Sequence, residues 1–127
     1  MRKKLGVFEL GLHRVRLFAT HGTGGAFSTL PGDNGPPQIE VGIDRNDWSF
    51  VVGILMHEAM EFSAHTMGFR FTPACDVACD NGGYMFLMDH TQFSEATARA
   101  SEFVAAAIPV LEKHWKEKHG GEKASDA

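Results

Sequence analysis

The chain is short of cysteine and of positive charge, and it has no long apolar run. Two cysteines among 127 residues, Cys75 and Cys79, are too few for a disulfide-stapled scaffold. A chain of this length buries roughly two thirds of its unfolded surface and needs no such staples. The formal net charge of −4 excludes a generally basic nucleic-acid binder. Between Asn46 and Glu112 nine acids face two bases, Arg70 and Arg99, so no basic stripe crosses the middle of the chain. The longest apolar runs, around Val51–Met56 and Phe103–Leu111, fall far short of the ~20 residues that span a bilayer. Glu9, His13, Arg14 and Arg16 interrupt the apolar stretch that a signal peptide would need after Met1-Arg2-Lys3-Lys4. Neither end carries a lipidation box. The expectation is a protein with no nucleic-acid or membrane partner. Two unpaired thiols and no export signal predict a reducing, cytoplasmic setting.

What is present is a globular balance, 43% hydrophobic and 22% charged residues, which argues against a disordered chain. Leu5–Thr20 reads as strand. Phe8, Leu10 and Leu12 alternate, then Val15 and Leu17 continue in the opposite phase, so a bulge or turn is expected near Gly11–Arg14. His21–Pro37 is rich in Gly and Pro and reads as loop, and Gln38–Ile43 as a short strand. A long helix is expected from about Asp47 to Met67, with N-cap candidates in Asp44–Asp47 and a stop at Gly68. Gly53 inside it suggests that another element approaches closely there. Phe69–Met88 reads as a β-hairpin, turned at Asp80-Asn81-Gly82-Gly83. Asp89 or Thr91 then caps a second helix to about Lys118, which Pro109 should kink or divide. The sum is a single α+β domain over residues 1–119, a small, mostly antiparallel sheet on two main helices. Residues 120–127 read as a disordered polar tail.

One stretch carries chemistry: Met56-His57-Glu58-Ala59-Met60-Glu61-Phe62-Ser63-Ala64-His65. On a helix, His57 and Glu61 lie four residues apart, about 40° around the axis and ~6 Å along it. Two side chains so placed can grip one metal ion, and imidazole and carboxylate are both good zinc ligands. Glu58, beside the first ligand, can take a proton from a water whose pKa the metal lowers. The plainer alternative is a hydrogen-bonded or solvated His–Glu pair. Against it stands the apolar run Ile54-Leu55-Met56, where unpaired charge is costly.

Strand Ile39–Ile43, a short acidic turn, and then Val52-Gly53-Ile54-Leu55-Met56-His57-Glu58 resembles the active-site entry of zincin-type metallopeptidases. The resemblance covers about Gln38 to Gly68. It implies a zinc cofactor, His57 as first ligand and Glu58 as general base. Glu61 stands where that family places its second histidine. Small phage- or prophage-type proteins with a His-Glu-x-x-Glu helix are similar as well.

Catalytic zinc usually has three protein ligands and an open position. His65 lies ~12 Å along the helix from His57, too far to share an ion unless the helix breaks. His90, at the start of the second helix, is the better third ligand, with Asp89 as its partner or as the ligand itself. Cys75 and Cys79 lack a second cysteine pair and read as two small buried thiols rather than a mixed metal site. His21–Gly25 lacks the ending of a P-loop. Lys113, His114, Lys116 and Lys118 complement a helix C-terminus and need no ligand to explain them. The leading expectation is a zinc-dependent hydrolase of peptide or related amide bonds, with Gln38–Ile43 as an edge strand for a peptide or protein substrate. The rivals are a non-catalytic interaction or regulatory module on the same scaffold, and a structural metal site.

Overall fold

The computed structural model describes residues 2–71 and 85–126, with side chains through residue 120. Strands β1 (Arg2–Leu10) and β2 (His13–Thr20) form an antiparallel hairpin turned at Gly11-Leu12, where the change of hydrophobic phase places a turn. A register irregularity between Lys4 and Gly6 adds a bulge farther back. Strand β3 (Gly25–Ser28) lies inside the segment expected to be loop. It pairs antiparallel with β4 (Gln38–Gly42), which runs parallel to β2, so the sheet order is β1-β2-β4-β3. Four residues with one large apolar side chain, Phe27, carry too little pattern to announce a strand; pairing with β4 imposes it. The sheet is mixed, with two antiparallel pairings and one parallel. Strand β4 is therefore interior, and the expected edge at Gln38–Ile43 is occupied by β3.

Helix α1 spans Trp48–Thr66. Asp47 takes the N-cap backbone conformation without a side-chain cap bond. Its carboxylate pairs instead with Arg45. Gly68 ends the helix at φ +84°, a conformation that glycine adopts without the Cβ penalty. Val51, Leu55, Ala59 and Phe62 recur at helical spacing and bury one face of α1 against the sheet and the second helix.

Two short strands, β5 (Arg70–Phe71) and β6 (Met85–Phe86), pair antiparallel, as the base of the expected hairpin requires. Its turn at Asp80–Gly83, with Cys75 and Cys79, lies outside the described residues. Helix α2 (His90–Asp126) opens on a capping box: Asp89 Oδ1 accepts from the Gln92 backbone N–H at 2.8 Å, and Gln92 Oε1 accepts from the Asp89 N–H at 2.9 Å. Of the two expected cap residues, the cap is Asp89. The helix continues through Pro109 as one element, against the expectation of a division. Pro109 and Ala105, whose carbonyl loses its helical partner to the proline, both lie on the exposed face, where solvent serves that carbonyl. Ala96, Ala100, Phe103, Ala107, Leu111 and Trp115 form its buried stripe, while Phe93, one turn before Ala96, is exposed. Among the described residues no helix is long and apolar enough to cross a membrane.

Candidate metal centre

The third and fourth turns of α1 put one acid into the core face itself. Glu58 lies three residues after Leu55 and four before Phe62, both fully buried. Its side chain is 8% exposed, against 18% for Glu61 and 65% for His57. His57 Nε2 stands 2.9 Å from Glu61 Oε2 and 3.9 Å from Glu58 Oε2. One ligand atom from each of the three residues lies within 4.8 Å of the other two. Adjacent residues and a residue one turn on thus converge at a single point, as the spacing of an α-helix allows.

Neighbouring strands close on this cluster. Strand β3 crosses α1 so tightly that a Cβ on Gly25 would sit 2.9 Å from Glu58 Cγ and 2.7 Å from Ile54 Cγ2. From β5, Arg70 brings its Nε to 3.4 Å from Glu61 Oε1, and its guanidinium lies 5.1 Å from the centre of the Phe27 ring. Burial pushes the Glu58 carboxyl above its ordinary range; His57 opposes this, Glu61 adds to it, and Arg70 opposes it. Two carboxylates with little exposure and one imidazole form a group that could hold a metal ion, and the Arg70 guanidinium already offsets part of its negative charge. Nitrogen and carboxylate oxygen donors fit zinc, and also manganese or iron.

Two cavities flank the cluster and share His57. The larger, about 600 Å³, is bordered by Glu58, Ile54, Phe50 and the glycines 24, 25 and 53. The smaller, about 300 Å³, is bordered by Glu61, Met56, Met60, Phe69, Phe86 and Met88 and is almost wholly apolar.

The structure brings together His57, Glu58 and Glu61, with a Glu58 carboxylate oxygen close enough to serve as a third ligand atom. It does not bring in the other candidates. His65 lies against the Phe27 ring, 6.0 Å between centroids. His90 is exposed at the first turn of α2, and among the described residues the metal-capable group contains neither it nor Asp89. The Asp89 carboxylate is engaged as the helix cap. Arg70 and Gly25 were not legible as site residues, because each acts through a tertiary approach with no spacing signature. No protein-family model, curated protein or solved structure matches the chain.

Proposed function

We propose that this protein binds a divalent metal through α1 and acts as a zincin-like, zinc-dependent hydrolase of peptide or related amide bonds. The observation that carries the reading is the convergence of His57, Glu58 and Glu61 donor atoms within 4.8 Å, beside a cavity of about 600 Å³. His57 and Glu61 hold the ion. Zinc supplies Lewis-acid activation of a water and of the substrate carbonyl when it is bound. Glu58 would receive the proton at its carboxylate and deliver it to the leaving amine. Substrate backbone in extended form pairs with the outer edge of β3, which runs over Glu58; β4, hydrogen-bonded on both sides, has no edge to offer.

A second reading has an observation of its own. Glu61 already has two partners, His57 at 2.9 Å and Arg70 at 3.4 Å, so the cluster is a chain of paired polar groups that can exist without metal. On that reading the protein is a non-catalytic interaction or regulatory module. Metal analysis of protein purified without chelator or added zinc separates the two. A single bound ion, lost in His57→Ala and kept in Glu58→Gln, supports the hydrolase with Glu58 as base. An ion lost in both variants makes Glu58 a ligand. Weaker uptake in His90→Ala assigns His90 as a further ligand, and unchanged uptake leaves the set on α1. Peptide hydrolysis by the loaded protein, abolished in Glu58→Gln, completes the test.

A further inference from the structure

Gly53 lies in the interior of α1, where glycine weakens a helix relative to alanine. The usual reasons for such a glycine are missing. A Cβ at this position would meet nothing within 4 Å, so no element packs closely against it. Its φ is not in the positive range. The expectation of a close approach at Gly53 is thus corrected: the position opens onto space. That space is the 600 Å³ cavity, which also borders His57 and Glu58. Gly53 and His57, four residues apart, share one helix face, so a side chain at 53 would stand in the recess next to the cluster. Gly24 and Gly25 contribute only backbone, and besides His57 and Glu58 the side chains that border it belong to Ser49, Phe50 and Ile54.

We infer that Gly53 keeps this recess open for a ring-sized apolar group of the ligand, making residue 53 the determinant of ligand size at the metal site. The inference rests on the metal-binding reading above. The ligand class is a molecule with a metal-binding head at His57, Glu58 and Glu61 and a compact apolar group against Phe50 and Ile54. Binding energy comes from apolar surface removed from water in a recess that is already formed. Alanine at 53 takes little of that space, whereas a larger side chain fills it.

The test uses zinc-loaded full-length protein titrated with acetohydroxamate and benzohydroxamate, which share a chelating head and differ in the apolar group. Wild type is expected to bind benzohydroxamate at least about tenfold more tightly. Gly53→Ala keeps that preference. Gly53→Phe, and Gly53→Gln as a helix-compatible second variant, reduce it to about twofold or less while zinc uptake and acetohydroxamate affinity stay unchanged. The inference is overturned if either filled variant folds, takes up zinc and keeps the wild-type preference, or if the loaded wild type shows no preference. Wild type that takes up no zinc overturns the metal-binding reading, and the inference with it.

Discussion

Two polar clusters of this protein differ in what they hold together. Near the C-terminal part of α2, polar contacts join separate elements. The Trp115 indole N–H donates to the Arg45 carbonyl at 2.8 Å, His119 Nε2 lies 2.9 Å from the Ile43 carbonyl, and Lys118 Nζ stands 3.2 Å from Asp44 Oδ1. Asp44 in turn accepts from the Gly22 N–H at 2.6 Å. Each contact pins α2 or the 21–24 turn to the end of β4, and no catalytic role is needed to account for it. The cluster on α1 is different. Its members pair with one another along one helix, reach outside it to Arg70, and border two cavities. A polar group that fastens elements is explained by the fold; the α1 group borders open space and could hold a metal ion.

The comparison can be broken by stability measurements. Trp115→Ala should cost about 3–5 kcal/mol in denaturant unfolding, because the ring is 7% exposed, packs on Trp48 and loses a hydrogen bond. His57→Ala in metal-free protein should change stability by no more than about 0.5 kcal/mol, given its exposure. A large loss there would make His57 a fastener too. Gly25→Ala should destabilise by about 1–3 kcal/mol, since the new methyl meets Ile54, Glu58 and the Glu40 carbonyl. It should also weaken metal uptake by shifting Glu58. Gly53→Ala should stabilise by up to about 1 kcal/mol, as helix propensity improves and nothing is crowded.

Acid and base dependence sharpens the same contrast, because the two carboxylates shift in opposite directions. Asp44 is held below its ordinary value of 3.8, first by the Gly22 N–H and also by Lys118. Its contribution to stability is present above that ordinary value and is lost as pH falls through the lower folded one. Glu58 in metal-free protein is raised above its ordinary value of 4.5, chiefly by burial. Its contribution is present below that value and is lost as pH rises through the folded one. Asp44→Asn should therefore flatten the acid limb of the stability profile, and Glu58→Gln the limb on the alkaline side of 4.5. Profiles of the same sign for both variants would contradict the assignment.

Much of this fold was legible before the structure. The N-cap candidates in Asp44–Asp47 and the glycine at 68 bound α1; the phase change across Gly11–Arg14 marks the first turn. A cap at the start of α2, at Asp89 or Thr91, was equally plain. Strand β3 was not, because its pairing with β4 is a tertiary choice made by a glycine-rich segment. Pro109 misled because whether a missing N–H matters depends on which face it occupies. At the site, the four-residue spacing of His57 and Glu61 was enough to bring them together. Glu58 as a possible ligand, Arg70 beside Glu61 and the cavity over Gly53 depend on burial and on neighbouring elements, which spacing does not encode.

The most direct measurement is elemental analysis of wild type and His57→Ala, each purified without chelator or added metal. The account predicts one divalent ion per wild-type chain and none in the variant, with both folded. A metal-free wild type that takes up no zinc on titration, and whose fold and stability are unchanged by His57→Ala, would contradict it.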